Sequence, residues 1–335
     1  MNLFNTRVDQ LPLHKDSAQL VANVGGGTRL HFDAGSALYN GDKIGIPVTR
    51  FRTRAYARWT TFSFLYNDES DQGLYPIGEI ESANDKRTTI DHHMIVIIED
   101  EGRCYEVFQT DLAQGTAGSG AIWDMGSDKQ RAWGWTSAAA SGYPIYKGLV
   151  TYDEVARGRI DHAIRMTVEK TYSNKNGASH KTSGMLDSVP SPQLQPALGE
   201  RYRLRADFDI SGYGAQARVV LQALKEYGAY VCDNGGNWFL GGVPDARWDD
   251  EQFGELPFGS AMEVVDCASW GLQRGSYAVA HQDPKPRESD VIARLTATIT
   301  DQKEQIIYLT ALLNDYRNAT SGITNGLRFF IREVM

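Results

Sequence analysis

The sequence is poor in cysteine. Its only cysteines are Cys104, Cys232 and Cys267, an odd number at wide spacing. Such a set predicts neither a disulfide framework nor a CxxC metal site. We therefore expect three free, buried thiols, and no bound metal or other cofactor.

The chain also lacks a basic excess and a long apolar run. Its formal net charge is −8, whereas proteins that bind nucleic acid neutralise phosphates with Lys and Arg. No segment approaches the roughly 20 apolar residues that span a bilayer, and no basic stretch followed by an apolar one opens the chain. These absences argue against nucleic acid as a partner and against membrane insertion. We expect synthesis in the cytosol and, without a secretion signal, release by lysis, by a dedicated apparatus or within a particle.

Glycine, aromatic and β-branched residues are abundant up to about residue 280. They form short apolar runs between turn signals, such as 94–98 (MIVII) and 104–108 (CYEVF), and one alternating run, 202–210 (YRLRADFDI). This pattern is typical of a β-sandwich or jelly roll. We predict a mainly β domain over 1–280, with one or two packed helices and a long surface loop at 173–197.

One helix is predicted at 215–227. Val220, Leu221 and Leu224 recur there at helical spacing, and Gly228 follows as a C-cap. We expect this helix to pack across the sheet.

A different pattern begins after a linker at 281–290, which carries prolines and charges. Over 291–318, apolar residues alternate in steps of three and four, the a/d seam of a coiled coil of about four heptads. The a and d residues are Ile292, Leu295, Ile299, Gln302, Ile306, Leu309, Leu313 and Tyr316. Ile at most a positions with a mixture at d is compatible with two or three strands, and Gln302 is a polar layer that fixes register. We expect a homotrimer, with a dimer as the alternative. An amphipathic helix lying on its own domain is the alternative.

The last segment, 319–335, is too apolar to stay free in solvent, above all between Ile323 and Met335. We expect it to dock on the stalk, on a neighbour or on a larger assembly. Other virion proteins are therefore candidate partners.

Two Asp-His pairs open predicted strands, one before the run 94–98 and one before the run 163–168. A carboxylate beside an imidazole orients it and raises its basicity, so the pairs could converge as acid and base. His93 follows His92, and since adjacent strand residues point to opposite faces, at least one of the two is expected to be structural. The candidate catalytic residues, with two supporting carboxylates, are Asp91, His92, Asp161, His162, Asp124 and Asp153.

Carboxylates and amides lie beside aromatic residues in 233–239 (DNGGNWF) and 245–248 (DARW). A sugar ring offers an apolar face to an aromatic side chain and hydroxyls to polar groups, so these segments predict a carbohydrate site. The candidate ligand-binding residues are Trp135, Asp233, Asn237, Trp238, Arg247 and Trp248. The alternative is structural, with DNGGN as a hairpin turn and Trp238 in the core.

Long strings occur in order along the chain. They are DHHMIVI, GSGAIWDM, GWTSAAASGYPIYKGLVTYDEVARGRIDHAIRMTV and GERYRLRADFDISGYGAQARVVLQALKEYGAYVCDNGGNWFLGGVPDARWDDE. Over about 5–266 the chain resembles a group of secreted bacterial all-β proteins of unassigned function. The resemblance implies a single extracellular all-β domain, sometimes attached to carbohydrate-binding modules, and carries over no catalytic residues.

The chain differs from that group in lacking a secretion signal and in adding a coiled coil with an apolar tail. Those additions resemble phage fibre, spike and decoration proteins, which leave the host by lysis. The sequence therefore predicts a trimeric virion or extracellular surface protein with a glycan-binding β-domain. A polysaccharide-degrading enzyme, either a glycoside hydrolase or a lyase, and a purely structural assembly protein are the alternatives.

Overall fold

The computed structural model describes residues 3–34, 38–39, 42–43, 45–81, 91–127, 131, 135–171 and 194–267. The predicted linker, stalk and tail, with all eight a and d residues, lie outside the described residues, as does most of the loop 173–197. The described part is mainly β, as predicted, with three α-helices. None of the helices in the described ranges is long and apolar enough to cross a membrane.

The strands of the described residues are, in chain order, β1 (His31–Asp33), β2 (Leu38–Tyr39), β3 (Asp42–Lys43), β4 (Val48–Phe51), β5 (Trp59–Thr60), β6 (Ser63–Phe64), β7 (Tyr75–Pro76), β8 (Met94–Ile98), β9 (Arg103–Phe108), β10 (Thr116–Ala117), β11 (Ser119–Asp124), β12 (Ile164–Val168), β13 (Arg201–Leu204), β14 (Ala229–Asn234), β15 (Phe239–Gly241) and β16 (Met262–Val264). The helices are α1 (Ser17–Val24), α2 (Tyr152–Ala156) and α3 (Ala215–Glu226).

Two sheets contain most of these strands. The larger sheet has six strands in the order β1-β15-β12-β14-β13-β16, and the smaller has four in the order β11-β9-β8-β4. Parallel pairs occur in both, such as β12 with β14 and β4 with β8. The segment between β12 and β14 includes β13 and α3, which is the long crossover that a parallel pair requires.

Strand β8 is covered on both faces, which explains its unbroken apolar sequence. Ile95 and Ile97 pack in a cluster with Trp123, whereas Met94 and Val96 pack in a separate cluster on the other face. Alternation along the strand therefore connects two cores, and the predicted strand at 94–98 is confirmed.

Helix α3 confirms the helix predicted at 215–227. Val220, Leu221 and Leu224 are buried, and the helix packs against β13 of the larger sheet. The chain leaves the helix at Gly228, whose φ of +71° is left-handed. A Cβ there would lie 2.1 Å from the carbonyl oxygen of Tyr202, so only glycine fits.

The strand predicted at 202–210 is shorter than expected. Strand β13 ends at Leu204, and a turn follows in which the N–H of Phe208 donates to the carbonyl of Arg205. The Lys225 ammonium holds this turn by donating to the carbonyls of Ala206 and Phe208, at 3.0 and 2.6 Å. The alternating pattern therefore predicts a strand correctly only over its first residues, because the rest of the segment forms a turn that binds Lys225 of α3.

The prediction for the thiols is confirmed. Cys104, Cys232 and Cys267 are all buried and form no disulfide.

Candidate functional site

A cavity of about 550 Å³ lies against one face of the larger sheet, within the size range of small-molecule sites, about 300–1,000 Å³. Four neighbouring strands, β1, β15, β12 and β14, supply part of its lining, and the segment before β8 and the end of β9 supply another part. The residues that line it are His31, Asp33, Gly45, Ile46, Glu81, Asp91, His93, Phe108, Arg165, Thr167, Asp233, Asn234, Gly235, Gly236, Phe239 and Gly241.

Strand alternation places polar residues of β12 on the cavity face. Ile164, Met166 and Val168 belong to the core on the opposite face. Arg165 and Thr167 therefore point the other way, and both line the cavity.

A β-bulge brings Asp233 to the same face. Val231 of β14 pairs with Met166, but the next pair along joins Asp233 to Thr167, so Cys232 is an extra residue in β14. The extra residue shifts the alternation by one, and Asp233 shares the face of Thr167 rather than that of Val231.

Arg165 is a buried cation at the cavity wall. Its exposed fraction is 6%, and its Nε is buried without a hydrogen-bond partner among the described residues. Gly241 makes room for it, since a Cβ at that position would lie 2.7 Å from Cγ and 2.8 Å from Cδ of Arg165. The site therefore holds a guanidinium whose hydrogen-bonding capacity the described chain does not fill.

His93 and Glu81 form a buried pair beside Arg165. The distance from Nδ1 of His93 to Oε2 of Glu81 is 2.5 Å, and Nε2 lies 3.1 Å from the carbonyl oxygen of Ala138. Burial acts to lower the pKa of His93, but the charge and hydrogen bond of Glu81 together with the charge of Asp91 outweigh it, and the pKa is raised. Burial acts to raise the pKa of Glu81, but the charge and hydrogen bonds of His93 together with the charge of Arg165 outweigh it, and the pKa is lowered. Both ring nitrogens have an acceptor, so we infer that His93 is an imidazolium cation fixed by its neighbours.

The backbone before β8 bends at His92, whose φ of +38° is left-handed. The carbonyls of Asp91 and His92 accept hydrogen bonds from the N–H groups of Gln109 and Thr110, at 2.8 and 3.2 Å. Asp91 and His93 line the cavity and His92 does not. The bend thus gives the two adjacent histidines different surroundings.

Asp233 lies where this cavity meets a smaller one of about 160 Å³, because Phe108, Asp233 and Asn234 line both. The two carboxylate oxygens of Asp233 accept the N–H groups of Ala140 at 3.1 Å and Asn234 at 2.8 Å. Burial raises the pKa of Asp233, although the Ala140 N–H and the charges of His93 and Arg165 act in the opposite sense. A buried carboxyl with a raised pKa can hold a proton that a general acid would donate.

Among the six candidate ligand-binding residues, only Asp233 lines this cavity. Asn237 instead accepts the N–H of Glu169 at 2.8 Å. Arg247 lines a separate cavity of about 170 Å³ and pairs with Asp245 at 2.6 Å and Asp153 at 3.0 Å.

Trp238 and Trp248, two of the candidate ligand-binding residues, are core residues, which contradicts that assignment. Trp238 is fully buried and its Nε1 donates to the carbonyl of Gly25 at 3.0 Å. Trp248 is buried as well, with its Nε1 donating to Val243 at 3.0 Å. Trp135 is half-buried beneath the guanidinium of Arg131. The three tryptophans therefore do not line one groove in the described structure.

The turn DNGGN joins β14 to β15, but the two strands are not a hairpin, because β12 lies between them in the sheet. The structural alternative is therefore half correct: Trp238 belongs to the core, and the turn crosses over a neighbouring strand.

Of the candidate catalytic residues, only Asp91 lines the cavity. Nε2 of His162 lies 3.2 Å from Oε1 of Glu154. Asp161 pairs with Arg159 near the surface. Of the two Asp-His pairs only Asp91 lines this cavity, so the pairs do not converge on it.

Asp124 and Asp153 are the remaining two catalytic candidates. Asp124 accepts the N–H of Gly126 at 2.9 Å in a surface turn, and Asp153 is exposed. Neither lines the cavity.

Sequence reasoning missed Glu81 and Arg165 and gave His93 no catalytic or binding role. Arg165 had a signal, because it is the only charged residue in the apolar run 163–168 (AIRMTV). Glu81 had none, since its partner His93 is brought to it by the fold. In the described ranges no three His, Cys, Asp or Glu side chains are arranged to hold a metal ion.

Comparisons of the chain with models of protein families, with curated proteins and with solved structures produced no match.

Proposed function

We propose that the β-domain binds a carbohydrate in the cavity around Arg165, as the head of a trimeric virion or extracellular surface protein with a β-sandwich or jelly-roll fold. The observation that carries the proposal is the convergence of Arg165, Asp91 and Asp233 in one concave site of ligand size. The proposed sugar site is therefore the cavity on the face of the larger sheet and not a groove between the tryptophans.

The lining suits a sugar because it combines hydrogen-bonding groups with aromatic rings. Carboxylates accept hydroxyl protons, and a guanidinium donates to oxygen acceptors. The rings of His31 and Phe239 lie 4.2 Å apart at 36°, and Phe108 adds another ring to the lining. The apolar face of a pyranose can pack against such rings while its hydroxyls meet the polar groups.

The trimer rests on the heptad pattern at 291–318 and on nothing in the described residues. Three heads on one stalk would raise weak single-site affinity through effective concentration, because the second and third binding events become intramolecular. In this proposal the tail 323–335 joins the protein to its particle.

A glycan array with the full-length chain, followed by calorimetry on the positive glycans, tests the proposal. We expect Asp91→Asn to weaken binding at least about tenfold, the loss of one charge-assisted hydrogen bond. Asp207→Asn is the matched control, because Asp207 is an exposed carboxylate outside the cavity lining. If no glycan binds, or if both variants bind like the unaltered chain, the cavity is not a carbohydrate site.

Catalysis by the same cavity is the second candidate function. It is favoured by Asp233, a carboxyl with a raised pKa at the junction of two cavities. A sugar chain spanning the junction would place a glycosidic bond beside Asp233 as proton donor, with Asp91 as the carboxylate that activates water.

Release of reducing ends from a panel of polysaccharides tests this candidate. We expect the activity to fall at least about 100-fold in Asp233→Asn and Asp91→Asn, since each removes an acid or base. His92→Ala should keep the activity, because His92 does not line the cavity. Binding without any release would leave the protein as a lectin-like head.

A further inference from the structure

We propose that the cavity selects sugar acids, and that Arg165 binds the carboxylate of a uronic acid residue. This inference rests on the proposed carbohydrate function and names the substrate class of the same site. It follows from how the charges around the cavity are matched.

Three of the ionisable groups in the cavity already have partners in the chain. Glu81 and His93 form a close pair, so their charges cancel. Asp233 receives two backbone N–H groups. Arg165 differs, because its Nε has no hydrogen-bond partner in the described ranges while the side chain is 6% exposed.

A buried cation with unfilled donors is unfavourable unless something else supplies the acceptors. The guanidinium lines the cavity, so a ligand in the cavity can supply them. A planar carboxylate matches the fork of guanidinium donors with two parallel hydrogen bonds.

The rest of the lining favours a carboxylate on a sugar. Asp91 is an acceptor for hydroxyl protons, and the hydroxyl of Thr167, which donates to the carbonyl of Gly236 at 2.8 Å, can still accept one. A phosphate or sulfate ester would bring more negative charge or bulk beside Asp91 and Asp233. A uronic acid carries one anionic group for Arg165 and several hydroxyls for the acidic side chains.

Neighbouring glycines make room for the side chain of Arg165 in the sheet. A Cβ at Gly241 would meet its Cγ and Cδ at 2.7 and 2.8 Å, and a Cβ at Gly148 would lie 2.9 Å from its Cβ. Glycines on two sides therefore leave a slot for this side chain. A guanidinium held in this way loses little freedom when it binds a carboxylate.

Calorimetry on the full-length chain with matched oligosaccharides tests the inference. The probes are trimers of galacturonic, glucuronic and mannuronic acid, each beside the trimer of the corresponding neutral hexose. We expect at least one acid to bind about 30-fold more tightly than its neutral partner, the effect of completing a buried charge pair. Arg165→Met should abolish this preference and leave the affinity for the neutral trimer within about threefold.

Arg205→Met is the control, since Arg205 is exposed and pairs only with Asp207 among the described carboxylates. Arg165→Lys guards against a failure of Arg165→Met to fold, because it keeps the charge and loses the fork. We expect it to lose about tenfold in affinity for the acid alone. Near-ultraviolet circular dichroism verifies the fold of each variant.

The outcomes separate the inference from the proposal on which it depends. Equal affinity for acids and neutral sugars, unchanged in Arg165→Met, would overturn the selection of sugar acids and leave the carbohydrate function standing. Tighter binding of sulfated or phosphorylated sugars than of any uronic acid would overturn the assignment of the carboxylate. Absence of binding to every sugar would refute both.

Discussion

Glu106 and Arg165 are both charged residues in the middle of buried strands, yet the chain treats them in opposite ways. Glu106 in β9 is fully buried. Its carboxylate accepts the Nε1–H of Trp123 at 2.9 Å and the N–H groups of Ile145 at 3.0 Å and Tyr146 at 2.8 Å. The Nε of Arg165 in β12 has no such partner in the described structure.

Under our proposal, this difference separates a structural charge from a ligand-binding one. Burial raises the pKa of Glu106, and the three hydrogen bonds act to lower it. Those bonds tie the smaller sheet to the segment that follows it, so Glu106 is satisfied by the chain itself. The charges of Asp233 and Glu81 favour the Arg165 guanidinium, but its Nε has no acceptor in the described structure, and we therefore expect an acceptor to come from outside.

The largest expected effect is that of Glu106→Ala. The substitution leaves three buried N–H groups without an acceptor, so we expect the free energy of unfolding in urea to fall by about 3 to 5 kcal/mol. Glu99→Ala is the control, because Glu99 is exposed and its pairing with Arg50 at 4.0 Å is weak. A loss equal to that of the control would mean that Glu106 does not hold this part of the fold.

Gly241→Ala should have the next largest effect. The added Cβ collides with the side chain of Arg165, so we expect the free energy of unfolding to fall by about 1 to 3 kcal/mol. The cost should shrink in an Arg165→Ala background, which removes the colliding Cγ and Cδ, and a double-mutant cycle measures the change. Gly27→Ala is the control because a Cβ there meets nothing within 4 Å. An equal cost in both backgrounds would show that the strain does not pass through Arg165.

The pair of His93 and Glu81 should give stability a pH dependence. The raised pKa of His93 means that its contribution is complete below the pKa of the unfolded state, near 6.5, and is lost as pH rises through the folded pKa. The lowered pKa of Glu81 means that its contribution is present above the unfolded value, near 4.3, and is lost as pH falls through the folded pKa.

We therefore expect the pair to stabilise the fold most between about pH 4.3 and 6.5, by on the order of 1 kcal/mol. The measurement is the difference in unfolding free energy between the unaltered chain and Glu81→Gln from pH 4 to 9, with the exposed Glu79→Gln as control. A difference that does not decline above pH 6.5 would contradict a charged His93.

The smallest expected effect on stability is that of Arg165→Met without ligand. The substitution removes a buried charge with unfilled donors and keeps most of the volume, so the free energy of unfolding should change by less than about 1 kcal/mol in either direction. Urea unfolding measures it beside Glu106→Ala. A loss as large as that of Glu106→Ala would make Arg165 structural and remove the contrast between the two charges.

Local pattern predicted the elements well and the site poorly. The run 94–98 and the spacing of Val220, Leu221 and Leu224 each specify one element, because strand and helix periods are written within a few residues. The site depends instead on pairing between distant strands. No pattern near Asp233 shows the bulge that turns it towards the cavity, and nothing near His93 names Glu81 as its partner.

The tryptophans show a second limit of prediction from local sequence. Asp, Asn and Arg beside Trp238 and Trp248 satisfy the chemistry of a sugar site, but the sequence does not show which face of the chain is covered. The packing of Phe32 against Trp248, at 5.2 Å between ring centroids, decides that the second of them is core.

The pairing of β1 with β15 also governs when the site can form. His31 lies opposite Phe239 in that parallel pair. Contacts between residues near the two ends of the described chain must therefore form before the lining of the cavity is complete. Folds dominated by such non-local pairs reach their native state slowly. During synthesis, the cavity cannot be completed until Gly241 has left the ribosome, and we expect binding competence to be among the last properties that the folding chain acquires.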